Sequence, residues 1–172
     1  KFINPKLNIL NKYEKIYISP GISIRQKKFE KIKNNKIKLG RDLNLYSDNI
    51  TNQKLIAITG TNGKSTTTKL IGDIFKKSKI SIFVGGNLGT PLLNSFLANK
   101  KYTHHAIELS SFQLELIDNF NSYVSILLNI SKDHLDRYKN FNDYIKQKKK
   151  IFTNNGFGFN IISLDDPESF KL

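Results

Sequence analysis

Along the chain, short runs of β-branched and apolar residues alternate with stretches whose apolar positions recur every three to four residues. This rhythm predicts an α/β protein with a largely parallel sheet. Residues 15–19 (Lys-Ile-Tyr-Ile-Ser) read as a strand ending in the turn Ser19-Pro20-Gly21. A charged helix is expected over 25–34 and a short strand over 36–39. Residues 47–53 (Ser-Asp-Asn-Ile-Thr-Asn-Gln) are polar and turn-prone, and a domain boundary is placed there. The rhythm then restarts. Strands are expected at 54–59, 80–84, 105–109 and 123–129, with a helix from the first of them to about 77. A further helix over 141–152 and a last strand over 159–164 complete the pattern. Each polar cluster follows the C-terminal end of a strand, where an open α/β sheet builds its ligand site.

The first cluster is Gly60-Thr61-Asn62-Gly63-Lys64-Ser65-Thr66, between a strand and a helix. Glycines there let backbone N–H groups turn toward phosphate oxygens, and the helix N-terminus adds the positive end of its dipole. Lys64 has the reach for β- and γ-phosphates, and a hydroxyl of Ser65 or Thr66 suits Mg²⁺. The loop is shorter than the full G-x-x-x-x-G-K-[ST] pattern, because Ile58 stands five positions before Gly63. Read alone, it is a phosphate cradle or an ordinary Gly-rich turn.

Three further positions change that picture. Glu108 ends an apolar strand, where a carboxylate costs desolvation energy unless it is paired or binds a cation. Beside a nucleotide loop it reads as a Mg²⁺ ligand. His134 lies in Asp133-His134-Leu135-Asp136 and is read evenly as functional or structural, since hard cations prefer oxygen. Lys148 belongs to a lysine cluster, yet helical phase separates it from its neighbours. Phe141, Tyr144, Ile145, Ile151 and Phe152 define the apolar side, and Lys148 shares it, whereas Lys146, Lys149 and Lys150 are expected to face water. A lysine turned inward must snorkel, pair or lower its pKa. In the last case it becomes able to react with CO₂, giving a carbamate that is an anionic oxygen ligand. His104 and His105 read as partly exposed strand-entry residues without an assigned role.

The 172 residues carry a net charge of +14, which raises the question of nucleic acid. The basic residues are nearly all Lys, with only Arg25, Arg41 and Arg137, and the chain is also rich in Asn and Ile. That trio is what an AT-rich genome favours, and the expectation is that much of the charge lies on solvated faces. Arg, the better reader of bases, is scarce. The expectation is no nucleic-acid partner; a basic nucleic-acid binder would need steep salt-dependent binding. Cysteine is absent, excluding disulfides and thiolate metal sites. No stretch approaches the roughly 20 apolar residues of a membrane span, and no signal-like segment opens the chain. A cytoplasmic location is expected.

The strings Gly-Thr-Asn-Gly-Lys-Ser-Thr at 60–66, Gly-Gly-Asn-Leu-Gly-Thr-Pro at 85–91, Glu-Leu-Ser-Ser-Phe-Gln-Leu-Glu at 108–115 and Asn-Ile-Ser-Lys-Asp-His-Leu-Asp-Arg-Tyr at 129–138 resemble the Mur ligases. Within them they are most similar to the branch that adds D-glutamate. The resemblance implies an α/β fold in which a P-loop-containing, mostly parallel central sheet follows the end of a Rossmann-like N-terminal domain. Residues 1–52 would be the last part of the UDP-substrate domain, with Ser19 to Ile22 as a substrate-side loop, and 53–172 the first part of the central ATPase. An amino-acid-binding C-terminal domain would lie outside the chain. The implied reaction joins D-glutamate to UDP-N-acetylmuramoyl-L-alanine through an acyl phosphate, with ATP and Mg²⁺, in peptidoglycan precursor synthesis.

The roles it implies are specific. Gly60 to Thr66 would bind ATP, and Lys64 would steady the transferring phosphoryl. Ser65 or Thr66 with Glu108 would hold Mg²⁺. Lys148, carbamylated, and His134 would serve a second metal site, and Asn87 and Ser110 would contact the muramoyl substrate. A monomer is expected. The alternatives are a sister ligase for another amino acid and a non-catalytic nucleotide-binding module. The 172 residues alone are expected to have no ligase activity; substrate-dependent phosphate release from them would overturn this.

Overall fold

The computed structural model describes residues 7–10, 12–34, 37–97, 100–118, 120–152 and 158–171. The elements begin with α1 (Leu7–Leu10), β1 (Lys15–Tyr17), α2 (Lys27–Asn34), β2 (Lys38–Gly40) and α3 (Asp42–Asn49). Next come β3 (Lys54–Thr59), α4 (Lys64–Lys77), β4 (Ile82–Gly86), α5 (Asn94–Leu97), β5 (His104–Glu108) and α6 (Ser111–Leu114). The last are β6 (Val124–Leu127), α7 (Phe141–Lys149), a 3₁₀ turn (Lys150–Phe152), β7 (Phe159–Ile162) and α8 (Pro167–Phe170).

Strands β1 and β2 pair in parallel and carry a small core of Ile18, Phe29, Ile32 and Ile37. The remaining strands form one sheet in the order β4-β5-β3-β6-β7, every neighbouring pair parallel. β3 is central because it is apolar on both faces. Leu55 and Ala57 face one layer with Phe83, Ile107, Leu109 and Leu114, while Ile56 and Ile58 face the other with Ile82 and Ala106, beneath Ile71 and Phe75 of α4. The chain leaves β3, forms β4 two places away, returns as β5 between them, then crosses to β6 on the far side of β3. The C-terminal ends of β3, β5 and β6 therefore meet where the strand order reverses. Register fixes the detail: Glu108 lies level with Ile58 on one side and Gly86 on the other.

Gly86 is required by that closeness. Its φ is +125°, and a Cβ there would stand 2.1 Å from the Glu108 carbonyl oxygen. Only glycine brings β4 this near and lets Asn87 follow.

The expected α/β class and parallel sheet are borne out, with strand ends displaced by one or two residues. The second strand of the main sheet begins at Ile82 rather than Ile80, and the helix expected over 141–152 tightens to a 3₁₀ turn after Lys149. Of the strand expected at 36–39, Lys36 lies outside the described residues. Two differences matter more. The polar stretch 47–53 starts inside α3, which buries Leu43 and Tyr46 against the main sheet. Polar Asn44, Ser47 and Asp48 masked the two apolar residues that pack. His105 is not partly exposed but 2% exposed, with Nδ1 2.6 Å from Tyr46 Oη.

Burial lowers the His105 pKa to about 4 from 6.5. An unfolded chain takes up that proton below about 6.5, the folded chain only near 4, so this contribution is full above 6.5 and lost as pH falls toward 4. We expect urea unfolding to show wild type losing about 2 to 3 kcal/mol more than His105→Gln between pH 7 and pH 4.5. Parallel losses would remove His105 as the cause.

Candidate functional site

The phosphate-loop candidate starts where β3 ends. Gly63 caps α4 with φ 82°, a left-handed conformation that suits glycine. The Thr61 amide donates to the Asn129 carbonyl and the Asn62 amide to Asn129 Oδ1, both at 2.9 Å. Asn129 Nδ2 returns to the Asn62 carbonyl at 3.2 Å. The Thr61 hydroxyl sits 3.1 Å from Tyr144 Oη and accepts from the Ser131 amide at 3.0 Å. Two of the loop's amides are thus engaged by the segment after β6, and the first turn of α4 is left to present its N–H groups and positive dipole end. Lys64 curls back, its Nζ donating to the Thr61 carbonyl at 2.8 Å.

Glu108 is 2% exposed. It accepts from Ser65 Oγ at 2.7 Å and from Asn87 Nδ2 at 3.0 Å, both neutral donors. Ser65 rather than Thr66 meets Glu108. Thr66 lines a shallow recess on α4 with Ser65, Lys69, Leu70 and Asp73. Asn87 is held by the carboxylate, so its expected substrate contact would be shared with Glu108.

Lys148 is 2% exposed, as its helical phase required. Its Nζ donates to the Gly60 carbonyl at 2.6 Å and lies 4.9 Å from the centre of the Tyr144 ring. Burial lowers its pKa to about 7, Lys64 adds to the shift, and Asp133 and Glu108 oppose it. His134 has a positive φ of 51° and a half-exposed side chain. Its ring stands 4.8 Å from that of Phe112, with Nε2 3.4 Å from Asp133 Oδ2. Ser110 caps α6 by accepting from the Gln113 amide at 3.3 Å.

One cavity of about 210 Å³ gathers much of this: Lys64, Asn87, Ser110, Ser111, Phe112, Asp133, His134, Tyr144 and Lys148. Asp133, a lysine poised between charge states and the first residue of α4 open on the same small space, and the buried Glu108 meets it only through its bond to Asn87. Such a set can neutralise an anion and bind a hard cation. No group of three or more His, Cys, Asp or Glu side chains suited to a metal occurs among the described residues, so hydroxyl, amide and lysine-derived donors would have to complete any metal site.

Residues 58–172 match the family described as "Mur ligase middle domain". The chain belongs to the Mur ligase family. It is 42% identical over 153 residues to the UDP-N-acetylmuramoylalanine–D-glutamate ligase of Citrifermentans bemidjiense, covering 88% of this chain and 34% of that one. To the enzyme of the same name from Rickettsia prowazekii it is 45% identical over 139 residues, 81% of this chain and 31% of that one. Among solved structures it is similar to a pseudomurein peptide ligase type C from Methanothermus fervidus, with TM-score 0.55 and 25% identity over 96% of this chain and 34% of that one. It also shares the fold of the UDP-N-acetylmuramate:L-alanyl-gamma-D-glutamyl-meso-diaminopimelate ligase from Neisseria meningitides, with TM-score 0.61 and 16% identity, covering 96% and 57%. This Mur ligase chain spans about a third of the curated relatives it matches.

Several residues of this Mur ligase chain escaped the reading by motif. Asn129 and Phe112 were read only as members of longer strings and Tyr144 only as part of an apolar helix face, yet they shape the loop and cavity. Lys150, expected to face water, is half-buried and donates to the Glu115 carbonyl at 2.5 Å, because the tightening to 3₁₀ rotates it inward. Arg41, Glu115 and Arg137 form a buried ion-pair cluster. Its one signal was the rarity of Arg in a Lys-rich chain.

Lys148 is protonated up to about 10.5 when unfolded but only up to about 7 when folded, so stability rises with pH between these values. Below 7 the cost of the buried ammonium is complete. We expect Lys148→Met in CO₂-free buffer to raise unfolding free energy at pH 7, by up to about 4 kcal/mol. That gain should vanish near pH 10.5; a pH-independent difference in urea melts would refute it.

Proposed function

We propose that the chain forms part of a cytoplasmic ligase that adds D-glutamate to UDP-N-acetylmuramoyl-L-alanine, driven by ATP, in peptidoglycan precursor synthesis. In this reading residues 1–52 end the UDP-substrate domain and residues 53–172 begin the central ATPase. The substrate carboxylate takes the γ-phosphoryl group, and the D-glutamate amine then displaces phosphate from the acyl phosphate. Support for the amino acid comes from the names of the relatives at 42% and 45% identity. No helix among the described residues is long and apolar enough to cross a membrane.

The observation that carries the chemistry is Lys148, buried in the cavity beside the phosphate loop with its Nζ on the Gly60 carbonyl. Near neutral pH a sizeable fraction of this amine is unprotonated. Its nitrogen lone pair can bond to the carbon of CO₂; the nitrogen then loses a proton to solvent, leaving a carbamate anion where a cation stood. Glu108 fits a cation on its own evidence, being buried with only neutral hydrogen-bond donors. Ser65 and Glu108 would hold one Mg²⁺, with carbamylated Lys148 and His134 near a second. Bound Mg²⁺ would neutralise the phosphate charge that builds during transfer.

The chain's own groups do the positioning. The α4 N-terminus and Gly63 orient phosphate oxygens, and Lys64 exchanges its bond to Thr61 for the transferring group. Ser110 and Asn87 flank the acceptor, while Tyr144 and Phe112 keep the cavity wall apolar. A non-catalytic nucleotide module would need neither Glu108 nor Lys148.

The test uses the full-length enzyme with ATP and UDP-N-acetylmuramoyl-L-alanine, measuring phosphate release with D-glutamate against L-lysine, meso-diaminopimelate and L-alanine. D-glutamate alone should support turnover. Lys148→Ala should lower kcat by at least about a hundredfold, with partial recovery on adding short-chain carboxylic acids. Preference for another amino acid would reassign the branch, and full activity of Lys148→Ala would remove the carbamate role.

A further inference from the structure

All three arginines of this chain sit where the small β1-β2 unit meets the main sheet, and two of them converge on one carboxylate. Glu115, whose side chain is 3% exposed, accepts through Oε2 from Arg41 Nη2 at 2.5 Å and from Arg137 Nη2 at 3.1 Å. The two guanidiniums then reach the same loop. Arg41 Nη1 donates to the carbonyls of Ile18 (3.3 Å), Ser19 (2.5 Å) and Ile22 (3.0 Å). Arg137 donates to those of Pro20 (2.8 Å), Gly21 (3.1 Å) and Ile22 (3.2 Å). Five consecutive peptide carbonyls, residues 18 to 22, are therefore fixed by two side chains whose own orientation depends on one carboxylate oxygen. Arginine alone can do this, because its rigid fork presents several donors in fixed directions.

The far side of Arg137 faces the candidate site. Its guanidinium lies 4.0 Å from the centre of the Phe112 ring, and that ring is 4.8 Å from His134. Phe112 and His134 both line the cavity. A continuous set of contacts thus runs from the Ser19–Ile22 loop through Arg137 to the cavity wall, with Glu115 at its centre and outside the cavity.

We propose that Glu115 is a positioning residue for the acceptor: by holding Arg41 and Arg137 it registers the Ser19–Ile22 loop against the Phe112–His134 wall and so sets affinity for the nucleotide-sugar acid. This rests on the functional reading above. A purely structural role would lower stability and affect both substrates together. The positioning role separates them, because the ATP loop is anchored independently by Asn129 and Lys148.

The experiment compares full-length wild type with Glu115→Gln, which keeps shape and removes charge, by steady-state phosphate release. KM for UDP-N-acetylmuramoyl-L-alanine should rise at least about tenfold, with KM for ATP and kcat within about twofold. Arg137→Lys, which keeps charge but loses the fork, should show the same split and decides the matter should Glu115→Gln fail to fold by circular dichroism. Unchanged KM for the nucleotide sugar, or equal rises for both substrates, would overturn the proposal while leaving the ligase reading intact. A wild type inactive with these substrates would take both down.

Discussion

The arrangement depends on a lysine that pays the cost of leaving water. Lys148 is buried with its amine at the Gly60 carbonyl, 4.9 Å from the centre of the Tyr144 ring on the same helix. That bond ties α7 to the end of β3, and the Thr61–Tyr144 contact one helical turn away reinforces it. A desolvated ammonium with a carbonyl as its hydrogen-bond acceptor is a poor contributor to stability. Its position accords with the proposed role of Lys148, in which reactivity is gained at the expense of folding free energy.

Around this bond the site is assembled from strand ends. Parallel register sets Glu108 level with Gly86, the missing Cβ of Gly86 lets β4 approach, and Asn87 then reaches the carboxylate. The crossover from β5 to β6 carries the Asn129–His134 segment to the other side of β3, where it clasps the loop. No single element owns the site. Each side chain is exact only because its strand is registered against the next.

The small β1-β2 unit joins this system through ion pairs more than through apolar packing. Its core is separate from the cores of the main sheet. Arg25 meets Asp143 on α7, while Arg41 and Arg137 share Glu115. Such contacts are directional, and a change of one charge can shift the loop without unfolding either core.

By itself the sequence determined the class of fold, the glycine turn between β3 and α4 and the inward face of Lys148. All three are local: alternation, glycine spacing and helical phase each act within a few residues. It could not reveal α3 as a packing element, because Leu43 and Tyr46 are too few among polar neighbours to give a period, and only the sheet supplies their partners. Nor could it tell that His105 is buried or that Lys150 turns inward, since both depend on what lies across from them. The choice of Ser65 over Thr66 for Glu108 is a matter of register between α4 and β5. The Arg41–Glu115–Arg137 cluster joins residues 22 to 96 positions apart, and no pattern within a segment encodes such a meeting. Tertiary structure decided it, because only the fold brings two guanidiniums to the buried Glu115 carboxylate.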